Sequence, residues 1–194
     1  MDSICLDQLD SLCSLDSSIG GHSNVHLVPR AGLDFLDLDL PDVPAVIVKI
    51  VPLHEGDVEY NITGLFHAAG LGPKSFACVT DPELGVHYMI LELLEGPTLA
   101  EHIAQGNPVP SVALVSLFRR IATCGFHHRD LNLGNIIVTP TNGPMVIDFA
   151  DVNIIGMGPV YAAEHKASFM HMCRDVSDRI RMLRTQLDQV KEEK

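Results

Sequence analysis

The run AVIVKIV, Ala45 to Val51, narrows the folds open to this chain more than any other stretch. Five of its seven residues are β-branched, a composition that packs on a pleated surface and marks a buried strand. Lys49 sits inside that run. A charge within an apolar strand needs a reason, because burying it without a partner is costly. From His54 to Ala69 the pattern changes: Val58, Ile62, Leu65, Phe66 and Ala69 fall at helical spacing, with Glu55 and Glu59 four apart on another face. A strand carrying a lysine is thus followed at once by a helix carrying two carboxylates.

The remaining segments alternate in the same mixed way. Leu6, Leu9, Leu12 and Cys13 predict a short amphipathic helix. SIGGHSNVHLVPR reads as a Gly-Gly turn entering a strand, and GLDFLDLDLPDVP, with Leu36, Leu38 and Leu40 alternating with Asp37 and Asp39, reads as an exposed strand or acidic loop. VHYMILELLEGPTLAEHI predicts a strand, a turn at Gly96-Pro97 and a helix capped by Thr98 with Glu101 three residues on. VPSVALVSLFRRIATCG predicts a helix ending near Gly125, and NIIVT with PMVIDF predicts a hairpin. Phe169, Cys173, Val176, Ile180, Leu183, Leu187 and Val190 step by fours and threes, a two-in-seven seam that suits a final helix on its own domain, a partner helix or a second copy.

The 194 residues are enough for one real core. Residues 1–163 hold 6 Lys/Arg against 19 Asp/Glu, and residues 164–194 hold 7 against 6. An acidic body disfavours nucleic acid and anionic lipid as partners. Any anionic ligand needs local positive charge or a metal ion. The 5 cysteines are scattered and form no C-x-x-C pair, which suits reduced thiols in a cytoplasmic or nuclear compartment. The acidic MDSICLDQLD start carries no basic segment followed by an apolar core, and no run reaches the roughly 18–20 apolar residues of a membrane span. The expectation is a soluble protein that is neither secreted nor membrane-spanning.

The chemistry lies in FHHRDLNLGNIIVTPTNGPMVIDFADV, Phe126 to Val152. HRDLNLGN places Asp130 and Asn135 five apart, and Asp148 follows Asp130 by eighteen residues. With Lys49 and Glu59 upstream in order, the set resembles the protein-kinase-like superfamily. VIVK looks like the strand bearing a phosphate-binding lysine, and HRDLNLGN matches H-R-D-L-x-x-x-N at every specified place. The resemblance implies an α+β, two-lobed fold: a small antiparallel-sheet N-lobe over residues 18–95 and a truncated, mainly helical C-lobe over residues 96–194, preceded by an amphipathic segment at 1–17. It implies ATP and Mg²⁺ as cofactors. Asp130 would be the base or orienter for the acceptor hydroxyl, Asn135 and Asp148 the metal ligands, and Lys49 the phosphate clamp paired to Glu59, with Glu55 as the other candidate partner. Glu92 and Leu94 would offer hinge backbone to the adenine, and Gly20, Gly21 and Val25 would belong to the loop over the phosphates. His127 and His128 are adjacent and point apart on most backbones, so His128 reads as a structural loop residue.

The chain departs from the family pattern in four places. Of the three usual loop glycines, falling at Ser18, Gly20 and Ser23, only Gly20 is present, with Gly21 as an extra. Ala150 stands where a glycine follows Asp-Phe, the Lys49–Glu59 interval is only ten residues, and 46 residues follow Asp148. DVNIIGMGPVYAAEHK holds no Ser or Thr and no A-P-E, so Arg129 would have no phosphorylated partner there. This economy resembles the minimal kinases: the RIO kinases and the small kinase of the KEOPS complex. EGPTL at Glu95–Leu99 is similar to the post-hinge segment of that group. Asn132 stands where Ser/Thr kinases carry a lysine, and LGN is closer to small-molecule kinases of the aminoglycoside and choline type. The implied function is Mg·ATP-dependent transfer of the γ-phosphate to a hydroxyl, by a minimal serine/threonine protein kinase. A small-molecule kinase, and a pseudokinase serving as a nucleotide-binding partner module, remain open.

Overall fold

The computed structural model describes residues 3–14, 24–154 and, in the last segment, 174, 177, 178, 180–182, 185 and 188. The architecture is mixed α/β with antiparallel sheets and several helices, the class expected from the sequence. The chain divides into two compact units: residues 1–67 with 73–93, and residues 68–72 with 94–194.

The first unit is built on four antiparallel strands, β1 (Val25–Pro29), β2 (Ala45–Pro52), β3 (Ser75–Asp81) and β4 (Val86–Glu92), in the order β1-β2-β4-β3. The apolar run of β2 follows from its place between β1 and β4, where it is paired on both edges. The β3–β4 hairpin closes through Asp81, whose Oδ1 accepts from the Glu83 and Leu84 amides at 2.8 and 3.0 Å. Helix α1 (Ser3–Ser14) buries Leu9 and Cys13 in the same core as Val46, Val48 and Tyr88. Burial there pushes the Cys13 thiol up to about 11 and the Tyr88 hydroxyl well above its ordinary value.

Of the two readings of the Leu-Asp alternation, the loop forms and the strand does not: Arg30–Leu36 is a 3-10 helix that buries Leu33 and Leu36, and the chain then runs irregularly, with Asp37 and Asp39 exposed, to a buried Leu40. One expected pattern is corrected. Helix α2 (Leu53–Ala68) is rotated from the face its apolar residues mark. Gly56, Glu59, Ile62, Thr63 and Phe66 are buried, whereas Val58 and Leu65 are exposed. The reason is close approach and charge pairing. A Cβ on Gly56 would lie 2.4 Å from the His87 ring and 2.8 Å from Val51, so only glycine lets the helix lie where Glu59 points inward.

The second unit begins at a turn. Gly96, at φ 137, lies where a Cβ would meet the Val138 carbonyl oxygen at 2.3 Å. Helix α3 (Leu99–Ala104) starts with the expected capping box: Glu101 N donates to Thr98 Oγ1 at 3.1 Å and Thr98 N to Glu101 Oε2 at 2.7 Å. Helix α4 (Ser111–Thr123) buries Leu114, Leu117, Phe118 and Ile121. Strands β6 (Ile136–Thr139) and β7 (Gly143–Val146) form the expected hairpin, and β5 (Phe126–His128) pairs with β8 (Val152–Ile154). The described residues after 173 are helical. Of the heptad seam only Ile180 is among them, so that expectation lies outside the described residues. Among the described residues no helix is long and apolar enough to cross a membrane.

Candidate active site

In the first unit β2 carries Lys49 to the buried face of α2, where its Nζ lies 2.6 Å from Glu59 Oε1. Their side chains are 11% and 3% exposed. A desolvated pair persists only with good geometry and further hydrogen bonds. Beside it, the buried Thr63 Oγ1 donates to the Glu59 carbonyl at 2.8 Å. Glu55, the other candidate partner, is exposed and lies 3.3 Å from His54. Val25 is the register partner of Lys49 on β1. Glu92 is tied to Lys74 twice, its amide donating to the Lys74 carbonyl at 2.8 Å and its Oε2 accepting from the Lys74 amide at 2.9 Å. Leu94, at the start of the second unit's main stretch, is half-buried. Gly20 and Gly21 lie outside the described residues.

In the second unit the sequence folds tightly around one carboxylate. Asn132 precedes a 3-10 turn, Leu133–Asn135, and caps it by accepting from the Gly134 amide at 2.8 Å. Its Nδ2 donates to Asp130 Oδ1 at 3.1 Å. From the far end of the turn, Asn135 Nδ2 donates to Asp130 Oδ2 and to the Asp130 carbonyl, both at 2.9 Å. Both oxygens of an exposed carboxylate are thus held by amides from within five residues of chain.

The β6–β7 hairpin brings the next group to this loop. Ile136 pairs with Val146, and Ile147 N donates to the Asn135 carbonyl at 3.0 Å. The residue that follows is Asp148, at φ 62. A non-glycine residue in the left-handed region is held there at a cost of about 1 kcal/mol or more, a strain that collects at functional sites. Ala150, where glycine was expected, has no positive φ. The conformational demand of the loop falls on Asp148 instead.

His128 braces the junction from inside. It is buried, its Nε2 lies 3.4 Å from the Ile147 carbonyl, and its ring centroid is 5.9 Å from that of Phe149. Burial pushes its imidazole below the ordinary value, with the Ile147 carbonyl and the charges of Asp148 and Asp130 opposing that shift. Among the described residues no group of three or more His, Cys, Asp or Glu side chains is gathered for a metal. A carboxylate and an amide oxygen, Asp148 and Asn135, are instead the hard-donor set that suits Mg²⁺ shared with phosphates and water.

Two contacts were not read from the sequence. Asn132 was noted for the residue it replaces, not for its bond to Asp130. Arg129 pairs with Asp151, and only the β5–β8 pairing brings the two together.

No family model and no curated protein matches the chain. Among solved structures it is similar to the bifunctional kinase-methyltransferase WbdD, with a TM-score of 0.46 and 20% identity over 65% of this chain. The match spans 32% of that protein's length, about a third.

Proposed function

We propose that the chain is an ATP-dependent phosphotransferase that passes the γ-phosphoryl group to a hydroxyl, as a minimal serine/threonine kinase. In the reaction the acceptor oxygen forms a bond to the γ-phosphorus while the bond to the β–γ bridging oxygen breaks. ADP leaves with that electron pair, and the hydroxyl proton passes to the Asp130 carboxylate. Asp130 suits this role because Asn132 and Asn135 hold its two oxygens in place, so it meets the hydroxyl without first being ordered. Lys49, paired with Glu59, would take the α- and β-phosphate oxygens. Mg²⁺ on Asp148 and Asn135 would supply neutralisation of phosphate charge.

One observation carries most weight. Asn135 donates to Asp130 through its amide nitrogen and is bonded through its carbonyl to Ile147, the neighbour of a strained Asp148. One turn and one hairpin thus tie together Asp130, Asn135 and the neighbour of Asp148, which supports giving Asp130, Asn135 and Asp148 a shared role. Asn132 supplies no charge to the acceptor, so both acceptor classes belong in the assay.

The test is transfer from labelled ATP to Ser/Thr peptides and to amino-alcohols, with Asp130→Ala beside the wild type. The expected result is transfer that falls about 10²–10⁴-fold in the variant. Undiminished transfer by Asp130→Ala would remove Asp130 as the base. ATP binding without transfer to either acceptor class in the wild type favours the nucleotide-binding partner module, and absence of both overturns the phosphotransferase reading.

A further inference from the structure

The reaction proposed above makes no use of the ion pair beside it. Arg129 Nη2 contacts Asp151 Oδ1, with side chains 54% and 45% exposed. The same two residues are joined along the backbone, where Arg129 N donates to the Asp151 carbonyl at 2.9 Å. That bond continues the ladder of β5 and β8, in which His128 pairs with Val152. Arg129 immediately precedes Asp130, and Asp151 follows Asp148 by three residues.

Resting on the proposed function, we propose that Arg129 and Asp151 are positioning residues that lock the loop of Asp130 to the loop of Asp148. Two strands of three residues each make a short ladder, and short ladders fray at their ends. The end nearest Asp130 and Asp148 is the one the ion pair closes. On the buried side His128 meets Ile147 and Phe149, so the junction is gripped from both faces. A half-exposed pair contributes little to global stability. Its consequence is geometric: the proton acceptor and the metal carboxylate keep one spacing, and a displacement of about 1 Å can cost on the order of 100-fold in rate.

The experiment compares wild type, Asp151→Asn, Asp151→Glu and the exchanged pair Arg129→Asp with Asp151→Arg. It records kcat, KM for Mg·ATP, melting temperature, and amide exchange over residues 129–131 and 148–151. Asp151→Asn is expected to lower kcat about 10- to 100-fold with KM and melting temperature nearly unchanged. Exchange should quicken in both loops. Asp151→Glu or the exchanged pair should recover most of the loss. A kcat equal to wild type in Asp151→Asn overturns the proposal, as does a loss that neither restoring variant recovers. A fall in kcat matched by a fall in melting temperature also overturns it, because that is general destabilisation. If the wild type neither transfers phosphate nor binds Mg·ATP, the proposed function fails. The exchange data then decide the lock separately, and unchanged exchange in Asp151→Asn overturns it.

Discussion

Lys49 and Glu59 meet inside the first unit with side chains 11% and 3% exposed, while Asp130 meets Asn132 and Asn135 at the surface of the second. The buried pair joins a strand to a helix and depends on close packing at Gly56. The exposed cluster is made within six consecutive residues and depends on one 3-10 turn. A charge pair taken out of water is tied to the stability of its surroundings, because either partner alone is a buried unpaired charge. A surface carboxylate held by neighbouring amides is not. Changes at the two places should therefore separate stability from chemistry.

The sharpest way to break that contrast is Glu59→Ala, which takes from the buried Lys49 the carboxylate 2.6 Å away. A loss of about 3–5 kcal/mol by denaturant unfolding is expected, with much less in the double variant Lys49→Met, Glu59→Leu. A cost below about 1 kcal/mol in the single variant would mean that the pair is not desolvated. Asp130→Ala probes the other side: stability within about 0.5 kcal/mol of wild type, while transfer collapses. Gly96→Ala checks that tolerance belongs to the surface loop and not to the whole second unit. With φ 137 and the Val138 oxygen 2.3 Å from a new Cβ, it should cost about 1–3 kcal/mol.

A smaller effect comes from His128. Its imidazole is held below its ordinary value by burial, so as pH falls below about 6.5 the unfolded chain takes a proton that the folded chain refuses. Stability is fully present above that pH and declines as pH falls, with a slope of at most about 1.4 kcal/mol per unit. His128→Phe should flatten this slope in urea titrations between pH 7 and 5. The smallest change is Asn132→Ala. It removes one amide from an exposed carboxylate, so stability should move by no more than about 0.5 kcal/mol, while kcat falls more than KM rises.

Much of the frame was legible because its signals are local. AVIVKIV became the strand between two others, Thr98 and Glu101 formed their capping box, and NIIVT and PMVIDF paired as the hairpin. The face of α2 was misread because periodicity counts apolar side chains. Here a glycine, a paired carboxylate and a threonine face inward, leaving Val58 and Leu65 outside. For Leu36 to Leu40 the alternation with aspartate left strand and loop open, since both expose every second residue, and the chain takes the loop once the 3-10 helix ends at Leu36. Strands β5 and β8 are three residues long, too short for any period to show. The Arg129–Asp151 pair that depends on them was therefore out of reach. The order of Lys49, Glu59, Asp130, Asn135 and Asp148 was readable; the bond from Asn132 to Asp130 was not, because it depends on the 3-10 turn between them and the hairpin.

The most direct measurement is thermal unfolding with ATP, with and without Mg²⁺, for the wild type and for Asp148→Ala. A ligand that binds only the folded chain raises its stability by mass action, by about 2.7 kcal/mol at one hundred times Kd. The wild type should gain stability from ATP chiefly when Mg²⁺ is present, and Asp148→Ala should lose that Mg²⁺-dependent part. Equal melting temperatures with and without Mg·ATP in the wild type would contradict the assignment of this chain as a phosphotransferase.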